Sequence, residues 1–545
     1  MARSKAFQDL LRAARIAWYC DKHGLSTDQG IARLAHAADK RRMSKRTRRE
    51  VLAGLGATAA AGLLPWRRAL AKKAVNVDVG IVGAGIAGLV CADTLRAAGV
   101  NAALYEARDR LGGRIWSLGG AFPGPIQFPG QVVERGGEFI DTTHLTMKAY
   151  AREFVLDLEE VDKEYLPGGD TFYINGRRVP ESVVVDEFRD LVDSIRPDLT
   201  KLSGEVTAQD FTEFDRALDL TDLASYLEQK DAGEIISKVV NVAYTTEFGC
   251  EISELSSLGF LFFIHIDKRS KFTPFGVFSD ERYHIIDGNQ QVPQMIADRL
   301  TGPIELESRL VAARKLSDGR IELTFDQSGS SFIVTHDAVV FALPFTMLRE
   351  VELDASLDLP SEKLFAINNF KLGTNAKLDV GFNGRFWARL GTSAETWSDL
   401  PNHQLTWEVN PSMATVKHAV IVDYSGGHRG ANLKPNKVQE ETQLWLTDLN
   451  KVLPGALTAA TRIGTRKKTF LAHLQHWPSD PLIKGSYTCN QPGYFTTILG
   501  NEATPVGNVF FAGEHTDSFY EGQGFMEGGA NSGIRAAEEV LAGVG

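Results

Sequence analysis

The chain has 545 residues, 43% of them hydrophobic and 23% charged, with a formal net charge of −10. That is the composition of an ordinary soluble protein, long enough to bury two sizeable domains. The charge is uneven: residues 1 to 71 carry 15 Lys and Arg against 5 Asp and Glu, and the remainder carries 44 against 64. So acidic a body argues against nucleic-acid binding, and it suits either cationic small substrates or plain solubility.

In chain order, residues 1 to 42 read as helical and amphipathic. Thr47-Arg48-Arg49-Glu50 then leads into an Ala-, Gly- and Leu-rich run, Pro65 and Ala69-Leu70-Ala71. A twin-arginine pair, a weak apolar region and an Ala-x-Ala site predict a Tat export signal cleaved after Ala71, and hence an exported, periplasmic or extracellular protein. The apolar run, roughly 15 residues, is too short to be a stable membrane span. A conventional signal peptide begins at Met43, so the start stays open between Met1 and Met43. Four cysteines (Cys20, Cys91, Cys250 and Cys489) show no metal spacing, so no metal site is expected and no disulfide is required.

Residues 77 to 114 carry the strongest signal. An apolar run from Val77 to Val82 enters Gly83-Ala84-Gly85-Ile86-Ala87-Gly88, a helix follows to about Ala98, and a second run from Ala102 to Tyr105 ends on Glu106. Strand, glycine turn, helix, strand and acid make a dinucleotide-binding βαβ unit, with Glu106 placed to accept hydrogen bonds from an adenosine ribose. A pyrophosphate then sits at the positive end of the helix. Arg108, the Gly112-Gly113-Arg114 turn and Arg135-Gly136-Gly137-Glu138-Phe139-Ile140 follow, and they resemble the extended FAD fingerprint rather than an NAD site.

Residues 145 to 270 read as mostly helical, with Phe188 to Ile195, Leu218 to Leu227 and Glu234 to Tyr244 as examples. Asp287-Gly288-Asn289-Gln290-Gln291 opens another helix, Val292 to Leu300. Strands at 304–306, 310–316, 321–325, 332–335 and 338–342 follow, read as a return to the nucleotide domain. Residues 377 to 382 and 403 to 424 read as strands of a second sheet. Near the end, Val509-Phe510-Phe511-Ala512-Gly513-Glu514 is a strand entering a turn, and Gly524-Phe525-Met526-Glu527-Gly528-Gly529 starts the last helix.

Together these blocks resemble the flavin-containing amine oxidase family of monoamine, polyamine and L-amino-acid oxidases, over residues 75 to 545. The resemblance implies an α/β fold: a Rossmann-type FAD domain built from residues 75–145, 280–345 and 478–545, and a mixed α+β substrate domain from 146–279 and 346–477. It implies FAD as cofactor, held by the Gly83–Gly88 turn, Glu106, Arg108, Gly113, Arg114 and the Gly136–Phe139 segment. Backbone at Val311, and Trp477, Gly513, Glu514, Gly524, Phe525 and Met526, complete the implied cofactor set. Lys377 resembles the lysine that holds a water near flavin N5, and Tyr487 and Phe525 resemble two walls of an aromatic cage for the amine.

The implied reaction is oxidative deamination of a primary amine or L-amino acid by hydride transfer to N5. Dioxygen reoxidises the flavin, giving hydrogen peroxide and an imine that hydrolyses to an aldehyde or 2-oxo acid plus ammonia. Ser486 stands where monoamine oxidases carry a tethering cysteine, so FAD is expected to be non-covalent. No arginine follows Gly136-Gly137 to clamp a carboxylate, which leaves Arg135 and Arg282 as candidates if the substrate has one. Two other readings are a C–C desaturase of the protoporphyrinogen oxidase type, against which Lys377 and Tyr487 count, and a flavin-binding partner without turnover. Association into a homodimer is left open by the sequence.

Overall fold

The structure is a computed structural model that describes residues 77–161, 169–264, 281–411, 417–519 and 522–543, together with Cys20, Ser26 and Thr27. The expected export signal lies outside the described residues. None of the described helices is long and apolar enough to cross a membrane.

Val79–Val82 is buried at every position and forms the centre of a five-stranded sheet. Ala103–Tyr105 and Ile304–Glu305 lie on one side of it, Ala338–Phe341 and Val509–Phe511 on the other, all pairings being parallel. A strand with both faces covered has no polar side to alternate with, hence its unbroken apolar run. The turn at Gly83 leads into helix Ile86–Ala97, against which helix Met526–Gly543 packs backbone to backbone. A Cβ on Gly533 would stand 2.3 Å from the Ala87 carbonyl oxygen, so a larger residue would push the final helix away. Both helices therefore begin at the same edge of the sheet, beyond the carboxyl ends of its strands.

The strands between 304 and 342 do not all return to this sheet. Arg309–Lys315, Ile321–Gln327 and Ser330–His336 form an antiparallel meander of their own, joined in parallel by Glu352–Leu353. Only the first and last strands of the series join the parallel sheet. Ser328 and Gly329, both with positive φ (53° and 86°), make the two-residue hairpin turn that such a meander needs. Tyr105 stacks on Phe325 with ring centroids 4.5 Å apart, fastening the meander to the sheet.

A seven-stranded sheet runs in the order Ala472–His476, Ala376–Phe382, Ala419–Ser425, His403–Glu408, Thr392–Leu400, Gly169–Ile174, Arg177–Val179. Along Ala376–Phe382 alternate residues serve different faces. Ala376, Leu378, Val380 and Phe382 pack with Trp387, Trp445 and Leu449. Lys377 and Asp379 consequently point to the opposite face, toward the 134–138 segment. The single helix expected over Leu218 to Leu227 is two, Glu213–Leu220 and Leu223–Gln229. They break at Asp222, whose carboxylate accepts from the Ser225 amide at 2.9 Å as an N-cap. Cys250 and Cys489, read from sequence as not required to pair, form a disulfide.

Candidate active site

At the nucleotide end, Gly83 (φ 102°) lets the chain turn, and its amide donates to the Tyr105 carbonyl at 2.8 Å. A Cβ on Gly88 would lie 1.9 Å from the Gly83 carbonyl oxygen, so helix and turn touch directly. Gly85 is the opposite case: a Cβ there would meet nothing within 4 Å. It faces a cleft enclosing about 1260 Å³ of non-atom space, part of it open to solvent, which Ala87, Glu106, Arg108, Gly113 and Arg114 also line. Helix Ile86–Ala97 has no side-chain cap, so its first amides are directed to whatever occupies the cleft.

Glu106 is buried, and its two oxygens accept from the Ala84 and Arg108 amides at 2.8 and 2.9 Å. Burial pushes its carboxyl up, while those two amides and the guanidinium groups of Arg108 and Arg110 pull it back. Arg108 is itself anchored to Asp480 at 2.5 Å, a partner the sequence did not reveal. Val311 is not among the lining residues. Ser308, Arg309 and Leu310, just before it, line the cleft, and the meander's register shifts between Leu310 and Ala312.

Glu514 organises the middle of the cleft. One oxygen takes the Arg114 guanidinium at 2.9 Å, and the other takes the Thr488 hydroxyl at 2.8 Å and the Gly524 amide at 2.7 Å. Arg114 also donates to the Ser486 carbonyl at 2.7 Å. One carboxylate thus ties the second glycine turn, the 486–488 loop and the entry to the last helix. That helix begins at Met526, and Glu527 accepts from the Thr146 and Met147 amides at 2.7 and 2.8 Å, fixing its start on helix Leu145–Glu153. A Cβ on Gly137 would be 2.8 Å from Met526 Cγ, and one on Gly136 3.0 Å from Trp477 Cζ2, so this segment passes flat beneath both.

A second chamber, with about 570 Å³ of non-atom space, part of it open to solvent, adjoins the first and shares Arg114, Gly137, Ser486, Tyr487, Phe525 and Met526 among its walls. Lys377, Glu138, Phe139 and Trp477 line it as well, so the structure brings the expected chemical residues to one place. Phe525 meets the His144 ring edge-on at 4.8 Å. The Tyr487 hydroxyl is 2.6 Å from that of Tyr424, a chamber residue that sequence reasoning missed. Tyr424 pairs directly with Lys377 across the strands, and it sits in a segment too uniformly apolar to show which face looks where. Asn375 was missed too. Its side-chain oxygen accepts from the Ser486 hydroxyl at 2.6 Å, which occupies the group standing at the tethering position.

The Lys377 ammonium has three donors, and three acceptors meet it: Glu138 Oε2 at 2.6 Å and the carbonyls of Gly136 and Glu134 at 3.0 and 3.2 Å. The Trp407 indole N–H donates to the other Glu138 oxygen at 3.1 Å. Behind this pair, burial pushes the Glu134 carboxyl up to about 7 and that of Asp379 up to about 8. Neither carboxylate-clamp candidate lines the chamber. Arg135 stacks on Trp116 at 3.4 Å and donates to Gln475 at 3.0 Å, and Arg282 is ion-paired to Glu160.

Residues 86–541 match the family described as flavin containing amine oxidoreductase. The chain is 23% identical over 496 residues to flavin-containing amine oxidase B of Sus scrofa, covering 86% of each chain. It is 24% identical over 492 residues to an L-amino-acid oxidase of Naja atra, covering 87% of this chain and 90% of the relative. The solved cyclohexylamine oxidase from Brevibacterium oxydans superposes with a TM-score of 0.69 at 22% identity, over 86% of this chain and 99% of that one.

Proposed function

This chain belongs to the flavin containing amine oxidoreductase family, and we propose that within it the protein oxidises a primary amine that carries no α-carboxylate. It is a flavin-dependent oxidoreductase of the amine and amino-acid oxidase type, with FAD as cofactor. The cleft suits that group: the open space at Gly85, an uncapped helix start and the Glu106 carboxylate at the strand end accept a dinucleotide. The Gly136–Gly137 segment and the start of helix Met526–Gly543, which line the adjoining chamber, would hold the flavin portion. Bound FAD supplies hydride acceptance from the amine α-carbon and electron delivery to dioxygen, with an imine and hydrogen peroxide as products.

The observation that carries the amine reading is the pairing of the cations. Among the described residues lining the second chamber the only Lys and Arg are Lys377 and Arg114, ion-paired to Glu138 and Glu514. A substrate carboxylate entering there would have to displace Glu138 from Lys377, a buried pair and costly to break, or share Arg114, whose charge Glu514 already balances. Tyr487 and Phe525 offer aromatic faces to hold the amine. The helix start at Met526 places backbone N–H groups beside any negative charge that develops in the cleft. Lys377, with its three acceptors, is held in place beside Gly136. A peroxide-release screen of amines beside the α-amino acids of the same side chain tests this. Turnover of the amino acids at rates equal to or above those of the matching amines would refute it.

Two further features are proposed. FAD is held without a covalent link, since the Ser486 hydroxyl is engaged by Asn375. Acid precipitation should leave the flavin in the supernatant, and a yellow pellet would disprove it. The protein is exported through its twin-arginine leader. Replacing Arg48 and Arg49 by lysines should retain it in the cytoplasmic fraction, and unchanged export would exclude that route.

A further inference from the structure

The Cys250–Cys489 disulfide joins residues 239 apart in sequence. Cys250 follows Gly249, the left-handed cap of helix Glu234–Phe248. Cys489 lies two residues beyond Tyr487, in the loop that lines both chambers. Backbone contacts place this loop on the 371–374 segment. The Ser486 and Cys489 amides donate to the Gly373 and Lys371 carbonyls at 2.7 and 3.1 Å, and the Gly373 amide donates to the Tyr487 carbonyl at 2.8 Å. The helix side meets the same segment, with the Thr374 amide donating to the Gly249 carbonyl at 2.8 Å. The other end of Tyr487 reaches the helix itself, its hydroxyl lying 3.4 Å from the Thr246 carbonyl, one turn before the disulfide.

Tyr487 is therefore tied at its hydroxyl to the helix and at its backbone to the 371–374 segment, and the disulfide links its own loop covalently to the helix end. We propose that the Cys250–Cys489 disulfide is a positioning element for Tyr487, setting the aromatic wall in its amine-binding orientation only when the bond is closed. The proposal rests on reading Tyr487 as a wall of the amine chamber. Opening the bond leaves the loop on residues 371–373 and removes its covalent tie to the helix end, so that only hydrogen bonds hold the two together. A wall displaced by about 1 Å lowers the rate of the reaction it orients by up to roughly a hundredfold and loosens its hold on the amine. Closing it takes two electrons and two protons from the paired thiols. A disulfide oxidant receives both, as happens outside the reducing cytoplasm.

The test compares three holoenzymes well below their unfolding temperatures: oxidised, reduced with a phosphine, and a Cys250→Ala/Cys489→Ala double variant. Both sulfurs are buried, so reduction is verified by alkylation and mass. Anaerobic flavin reduction by 2-phenylethylamine yields the amine dissociation constant and the limiting rate separately. We expect affinity weaker by about tenfold, the loss of one aromatic contact to the amine, in the reduced enzyme and the double variant, with FAD retained, and restored in the reduced enzyme alone when oxidised glutathione re-forms the bond. Unchanged affinity in verified reduced enzyme or in the double variant overturns the proposal. So does loss of FAD in step with affinity, which would make the bond a general brace. Tyr487→Ala separates the premise: unaltered amine binding there would remove the chamber reading itself, whatever the disulfide does.

Discussion

The nucleotide half of the cleft is made mostly of backbone, and the amine chamber is made of side chains. At the first, Gly83, Gly85 and Gly88 decide whether a turn, an open space and a helix contact exist at all. At the second, Lys377, Glu138, Tyr424, Tyr487 and Phe525 converge from separate pieces of chain. Backbone sites tolerate almost no substitution because geometry has no conservative replacement. A side-chain chamber can be retuned one group at a time, so relatives sharing the first half can differ in the second.

The sharpest way to break that contrast is within the glycine turn. Gly85→Val should fold and yet be colourless, because its side chain enters open space that the cofactor needs. Gly88→Val should not fold, since its first carbon collides with the Gly83 carbonyl. Circular dichroism and flavin absorbance distinguish the two, and a yellow Gly85→Val protein would contradict the cofactor placement.

Smaller effects are expected at the buried pair. Lys377→Met should keep FAD but slow flavin reduction or reoxidation on the order of a hundredfold. It also leaves Glu138 buried beside only the Trp407 N–H, at a stability loss of about 3–5 kcal/mol. Adding Glu138→Gln should restore most of the stability and none of the rate. Wild-type stopped-flow rates in the single variant would take Lys377 out of the chemistry.

The smallest effect is a pH dependence. Burial raises the Asp379 carboxyl from 3.8 to about 8. Between those values the folded protein keeps a proton that the unfolded chain has released. This group's contribution to stability therefore falls as pH rises from about 4 to about 8 and is level above that. Asp379→Asn should be more heat-stable than the parent at pH 8, on the order of a few degrees, with the gap closing toward pH 4. A gap independent of pH would show that Asp379 is not the group responsible.

The same contrast governs what the sequence made legible. Val79–Val82 and helix Ile86–Ala97 fall within two residues of their expected bounds, because a glycine turn between apolar runs has one structural solution. Tyr424 was invisible: Ala419–Ser425 is buried at all seven positions, so period-2 alternation is absent and no face is marked. Lys377 came through resemblance alone, and its acceptors at 134, 136 and 138 are more than 200 residues away in sequence. The Leu218–Leu227 helix was misread because Asp222 was not recognised as a cap. The disulfide, spanning 239 residues, had no local signal at all.

One titration tests the central claim directly. 2-Phenylethylamine and L-phenylalanine differ only by the carboxylate, so each is added anaerobically to the yellow holoprotein while flavin absorbance is followed. The paired cations of the chamber predict bleaching by the amine and a persisting yellow colour with the amino acid. Bleaching by the amino acid, with or without bleaching by the amine, would contradict the account.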